Sequence, residues 1–271
     1  MSIAVEKYLI SQPKIFNLVD FDPNEPGIKT SLKEEAKEIG KSLNEELEVL
    51  QEKLYAENKH KILIVLQGMD ASGKDGTIRK VFEGVNPQGV DVISFKGPSK
   101  EELAHDYLWR IHNNVPGVGQ MVIFNRSHYE DVLVARVKEL VEKSVWEKRF
   151  EHINNFEKML SDEGVTILKF FLHISKDEQK ERLLERLEYK EKHWKFNPAD
   201  LKERTRWDDY MAAYQDVIQK TSTPWAPWII VPANRKWIRN YIISQYLVKC
   251  LKDLNIELPM IEFSPEVYQF E

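Results

Sequence analysis

The chain has 271 residues, a formal net charge of −5, 42% hydrophobic and 31% charged side chains. That length suits one large α/β domain with insertions or two small domains. The acidic balance argues against general nucleic-acid binding, and no apolar run approaches the length of a membrane span. Met1 to Lys7 lack the basic start and apolar core of a secretory leader, and the lone cysteine, Cys250, forms neither an intrachain disulfide nor a zinc cluster. A cytoplasmic protein is expected.

Pro13, Pro23, Pro26 and Gly27 mark an extended N-terminal arm, packed on the body or on a neighbouring subunit. A long charged helix over Ser31–Tyr55 follows. Five apolar runs bounded by turn signals read as buried strands: Ile62–Leu66, Val90–Phe95, Met121–Phe124, Val165–Ile174 and Trp228–Val231. Helical patterns fill the intervals, at Lys74–Phe82, Glu101–Asn113, Tyr129–Leu140, Trp146–Leu160, Glu178–Lys192, Leu201–Gln219 and Trp237–Leu254. This alternation predicts a five-stranded parallel sheet with helices on both faces, binding its ligand beyond the carboxyl ends of the strands. The expected organisation is an arm and helix over 1–60, a core over 61–255 and a tail over 256–271.

The strongest motif follows the first strand. Gly68-Met69-Asp70-Ala71-Ser72-Gly73-Lys74-Asp75 has the spacing of a P-loop, whose backbone N–H groups wrap a phosphate while the lysine adds a point charge. The glycines permit a tight loop, and the helix start favours an anion. Gly76 and Thr77 continue that first turn. Asp75 stands where a Ser or Thr usually reaches Mg²⁺, and Asp70 lies inside the loop. Two acids beside a phosphate cradle make sense with a hard cation between them, and Mg²⁺ takes one or two carboxylates plus phosphate oxygens. Asp75 is equally readable as a helix-terminal acid.

Three further segments reach the same sheet edge. Phe124-Asn125-Arg126-Ser127-His128-Tyr129-Glu130-Asp131 leaves the third strand. Ser127 and Glu130 read as a capping box, which leaves Arg126 as a bidentate phosphate ligand. Lys96-Gly97-Pro98-Ser99 leaves the second strand with room for a substrate. The segment Lys176–Arg206 holds ten basic and eight acidic residues on an otherwise acidic chain. Arg182, Arg186 and Lys190 repeat at four-residue spacing there, as either a solvated ion-paired face or a helical lid over phosphates. Tyr210 and Tyr214, also four apart, read as core or as base-stacking positions. His105, His112, His128, His152 and His173 show no metal-ligand spacing, and no nucleophile–His–Asp order is suggested.

Taken together, these motifs resemble the polyphosphate kinase 2 family over residues 30 to 255. The resemblance rests on Gly68 through Thr77, Val85-Asn86-Pro87-Gln88-Gly89, Phe124 through Ser127, the arginines of the basic segment, and Trp207-Asp208-Asp209-Tyr210. It implies a P-loop kinase fold similar to thymidylate kinase, with a helical lid at about 178–210. It implies Mg²⁺-dependent phosphoryl transfer between inorganic polyphosphate and adenine or guanine nucleotides, by a homo-oligomer, dimer or tetramer, without nucleic-acid or membrane partners. Asp75 and Asn125 resemble the group that accepts both nucleoside mono- and diphosphates, and Asn125 in place of an acid moves the expected carboxylate work to Asp70 and Glu130. The implied assignments are these: Asp70, the sole metal ligand, with Lys74, Arg126 and Glu130 in catalysis; Gly68, Ala71, Ser72, Gly73, Lys74, Asp75, Gly76, Thr77, Arg182, Arg186 and Lys190 on the phosphate chain; Lys96, Pro98, Asn125 and Arg126 on the nucleotide. An ATP-dependent nucleoside monophosphate kinase on the same fold is the alternative enzyme, and a polyphosphate- or nucleotide-binding module the non-enzymatic one.

Overall fold

A computed structural model describes residues 4–10 and 17–260. Its central strand is β2 (Lys61–Gln67), where every residue from Ile62 to Gln67 is buried. A strand covered on both faces requires such an unbroken run. β2 lies parallel to and between β4 (Met121–Asn125) and β5 (Val165–His173). β3 (Val90–Ser94) pairs with β4, and β6 (Trp228–Pro232) pairs with β5, both parallel.

The five expected strands are therefore present and parallel. A sixth corrects the count: β1 (Leu9–Ile10) adds an antiparallel edge, Leu9 opposite Ile229 and Ile10 opposite Trp228, giving the order β1-β6-β5-β2-β4-β3. Two residues are too few to show a period of two, so this strand carries no sequence signal.

The expected long helix is α1 (Lys33–Glu57), which buries Ala36, Leu43, Leu47 and Leu54 along one stripe and packs against α10 (Lys236–Asp253). It stops at Asn58, whose φ of 53° is left-handed. Described parts of the arm lie on the chain's own body. The Tyr246 hydroxyl donates to the Val5 carbonyl at 2.5 Å, and Arg235 donates to the carbonyls of Asn24 and Ile28. Pro13 and the tail beyond 260 fall outside the described residues. α2 (Lys74–Val81) joins α1 and α10 in one helix group; α5 (Val134–Val137), α6 (Lys143–Asp162) and α9 (Trp207–Thr221) form another.

Four expected helices are interrupted, each for a local reason. The run Glu101–Asn113 divides into α3 (Lys100–Leu103), capped by a Ser99–Glu102 box, and α4 (Trp109–His112), because the Asp106 carboxylate turns back to the Leu108 N–H. Tyr129–Leu140 becomes a short 3₁₀ turn and α5, since His128 and Tyr129 are drawn fully into the core. α7 (Lys176–Glu188) ends at Tyr189, which is extended, and a 3₁₀ segment over Lys190–Lys195 replaces its expected continuation. α8 (Pro198–Thr205) starts on an Asn197 cap with proline at its first position, and Arg206 separates it from α9.

Candidate active site

The loop after β2 has the geometry that a phosphate cradle requires. Gly73 sits at φ 104°, and a Cβ there would lie 2.0 Å from the Arg239 guanidinium. Only glycine lets the backbone and that arginine approach so closely. Lys74 opens α2, whose first N–H groups have no partner within the helix. The residue is 8% exposed, and its ammonium donates to the carbonyls of Gly68 at 2.7 Å and Met69 at 3.3 Å. Burial, reinforced by the nearby Arg126 cation, lowers its pKa to about 8 despite Asp70, Glu130 and Asp75.

Arg126 leaves the end of β4 with φ 63°, left-handed for a non-glycine residue. Its N–H is tied to the Leu66 carbonyl, and its guanidinium donates to Asp70 Oδ1 at 2.7 Å. One residue earlier, Asn125 donates to Asp75 Oδ1 at 2.7 Å. The two loops are thus stitched across the sheet edge by one charged and one neutral contact. Beneath them Gln67 accepts from the Ser127 N–H and donates to Glu130 Oε1, both at 3.1 Å. Burial raises the Glu130 pKa against the opposing pull of Arg126 and Lys74. Ser127 caps the Tyr129 N–H, while Glu130 turns to Gln67 instead of closing a capping box.

Two cavities meet at this pair. One, of about 620 Å³, is lined by the loop residues Ala71, Gly73, Lys74, Asp75 and Gly76 and by Arg79, Arg186, Lys192, Lys195, Lys236 and Arg239. The other, of about 500 Å³, has apolar walls from Pro98, Leu103, Leu133, Val134 and Val141, with Arg110, Arg149 and Glu130 among its polar groups. Asp70, Phe95, Lys96, Gly97 and Arg126 line both. Of the other expected residues, Asn125 faces the first cavity, and Gly68 and Pro98 the second. Ser72 and Thr77 are fully buried and line neither. Tyr210 and Tyr214 are core residues at the border of the second cavity.

The basic segment differs from expectation at two residues. Arg182 lines the first cavity as expected, yet it is not an open lid arginine: all of its donors are taken. It donates to Glu178, to the carbonyls of Ala71 and Ser72, and to those of Ala233 and Asn234, at 2.6–3.0 Å. It braces the phosphate loop against the end of β6. Lys190 is exposed and off the cavity, because α7 ends before it and the helical register is lost. Lys192, paired with Glu185, and Lys195 take its place on the lining. Arg186 does face the cavity, holding Asp200 at 2.9 Å.

Arg239 was not among the sequence candidates. It is 3% exposed, with Asn240 and the Ser72 carbonyl as hydrogen-bond acceptors, and burial plus the Arg182 cation pushes its pKa down to about 9. A buried guanidinium short of counter-charge against a phosphate cradle favours an anion beside it. A signal for it did exist. α10 begins with Arg235 and Lys236 and has no acid in its first turn, the reverse of what the helix dipole favours.

Among the described residues no group of three or more His, Cys, Asp or Glu could hold a metal. The donors present suit Mg²⁺, which keeps waters and phosphate oxygens and needs few protein carboxylates. No helix among the described residues is long and apolar enough to cross a membrane.

A glycine loop between a buried parallel strand and a helix, with lysine at the helix start and arginines closing over it, defines a P-loop phosphotransferase. The family described as Polyphosphate kinase 2 (PPK2) matches residues 30–259, and the chain belongs to that family. An AMP/ADP-polyphosphate phosphotransferase of Meiothermus ruber is 55% identical over 97% of this chain and 98% of its own length. An ADP-polyphosphate phosphotransferase of Rhodopseudomonas palustris is 46% identical over 84% of this chain and 83% of its own. The crystal structure of Polyphosphate Kinase 2 from Arthrobacter aurescens TC1 superposes with a TM-score of 0.89 at 41% identity, covering 94% of each chain.

Proposed function

We propose that this chain transfers the terminal phosphoryl group of inorganic polyphosphate to AMP and to ADP, reversibly, with Mg²⁺. The observation that carries the reading is the Asp70–Arg126 pair, which forms the wall common to a basic cavity and a part-apolar one. A polyanion fits the first and a nucleoside the second, so the reacting phosphates meet at that wall. Acceptance of both nucleotides is supported by the Meiothermus ruber relative, an AMP/ADP-polyphosphate phosphotransferase.

The acceptor is a nucleotide phosphate oxygen, already anionic at neutral pH, so no strong general base is needed. That oxygen forms a bond to the terminal phosphorus while the bridging oxygen leaves with the shortened chain. Catalysis is positioning and charge neutralisation. Lys74 and the loop N–H groups hold the donor next to the transferred group. Arg126 spans donor and acceptor, and Glu130 restrains it from below. Arg186, Lys192, Lys195 and Arg239 line the donor track, and Lys96 borders both substrates. When bound at Asp70, Mg²⁺ supplies charge neutralisation on the phosphate oxygens. The segment 178–210, carrying Arg186 and the two lysines, acts as the lid.

Turnover assays with Mg²⁺ and polyphosphate or ATP as donor, and AMP, ADP, GMP or GDP as acceptor, test the reading. ADP from AMP and ATP from ADP are expected with polyphosphate alone. Product from ATP but not polyphosphate would sink it.

The depressed Lys74 pKa adds a pH dependence. The lysine is cationic below about 8 and neutral above. Therefore kcat/KM for polyphosphate is expected to fall as pH rises through that value. In the saturated enzyme a bound phosphate favours the cation, so kcat breaks at higher pH. A kcat/KM profile that stays flat well above the Lys74 value contradicts the assignment.

A further inference from the structure

Beneath the Arg126 turn lies a charge cluster that none of the roles above uses. Glu157 on α6 and Lys169 on β5 are both fully buried, 2.6 Å apart. The Glu157 carboxylate also accepts from the Tyr129 hydroxyl at 2.7 Å and meets His128 Nε2 at 3.2 Å. The Lys169 ammonium completes its three bonds with the Tyr129 hydroxyl at 2.8 Å and the Thr221 carbonyl at 2.7 Å. Trp228 Nε1 holds the Thr221 hydroxyl at 2.9 Å.

The backbone between Arg126 and Glu130 explains what this cluster grips. Arg126 projects to the cavities from a left-handed backbone, and Ser127 is fully extended. His128 and Tyr129 then plunge into the core, and Glu130 returns to the second cavity. The inward residues of the turn end on Glu157 and Lys169; the outward ones end at the reacting phosphates. A buried ion pair is a poor source of stability, since apolar replacements of similar volume are often as stable. Its directional bonds do fix a geometry that apolar packing would leave loose.

We propose that the Glu157–Lys169 pair, acting through His128 and Tyr129, is a positioning device that sets the height and angle of Arg126 for phosphoryl transfer. The proposal rests on the role given to Arg126 above. None of the four residues lines either substrate cavity.

The test is a cycle of variants. The combined substitution Tyr129→Phe, Glu157→Leu and Lys169→Met removes the ion pair and the phenol hydroxyl while keeping their bulk, and leaves His128 in place. It is expected to stay folded with a Tm near that of the parent, to lose about 10²-fold in kcat, the scale of a misplacement of about 1 Å, and to keep KM near parental. In an Arg126→Ala background the same combination is expected to cost less than about twofold more, because there is no longer a guanidinium to place. A folded combined variant with kcat within about twofold of the parent overturns the proposal, and so does an undiminished loss in the Arg126→Ala background. Should the combined variant fail to fold, Tyr129→Phe alone is read by the same two criteria, with a smaller expected loss. Arg126→Ala at the parental rate would remove the role of Arg126 and this proposal together. A slow Arg126→Ala with fully additive losses removes only the proposal.

Discussion

Lys74→Met is expected to lower turnover of AMP with polyphosphate by about 10²–10³-fold, with the fold intact. The ammonium is buried on the cavity side of the loop and tied to two loop carbonyls rather than to a carboxylate. In the proposed complex phosphate oxygens replace those carbonyls, and the guanidiniums beside Gly73, Arg182 and Arg239, are anchored on other partners. Methionine keeps the stem and removes the ammonium with its charge and donors. Stability should move the other way. The native pKa of about 8 lies below the ordinary lysine value of 10.5, so folding at neutral pH costs on the order of 3 kcal/mol for this charge. That cost is present below pH 8 and fades as pH rises toward 10.5. Relief of the charge offsets the two carbonyls left behind, so Tm should hold or rise while kcat collapses. Single-turnover rates paired with thermal melts check both halves. A folded variant with near-parental turnover would dismiss Lys74 from the chemistry.

The second large effect is expected at Asp70. Asp70→Asn keeps the shape and one acceptor oxygen but removes the charge that faces Arg126 and both cavities. Turnover should fall about 10²–10³-fold at fixed Mg²⁺, and the Mg²⁺ concentration for half-maximal rate should rise. The second readout separates two roles. If Asp70 served only to hold Arg126, the rate would fall while the Mg²⁺ dependence stayed parental. A Mg²⁺ titration of parent and variant at saturating polyphosphate distinguishes them, and an unmoved midpoint would take Asp70 out of metal binding.

The sheet and the phosphate loop were readable because their signals are local and dense. Ile62 to Leu66 is an uninterrupted apolar run followed at once by a spaced glycine–lysine pattern. Asp70 and Lys74 lie within that pattern and Arg126 follows from the rule that such sheets bind at their carboxyl edge; the structure brings the three to one cavity. What escaped depended on distance in the chain. β1 exists only because β6, more than two hundred residues later, offers it an edge. Arg182 has the right spacing for a lid residue, yet carbonyls from two remote loops claim both of its terminal nitrogens and Glu178 takes the Nε hydrogen. Lys190 was misplaced by assuming that α7 runs on, when a single extended residue, Tyr189, ends it. Arg239 lies 165 residues after Lys74 in sequence and beside its loop in space. Its one early sign was a cationic first turn, which propensity arguments treat as an irregularity rather than a site.

The contact between Arg126 and Asp70 also bears on the order of ligand arrival. At 2.7 Å each group is the other's counter-ion. A bare phosphate chain that takes Arg126 strands Asp70, and a bare divalent ion that takes Asp70 strands Arg126. A phosphate chain already carrying its cation would exchange one ion pair for two and strand neither. Metal and polyphosphate should therefore each tighten the binding of the other.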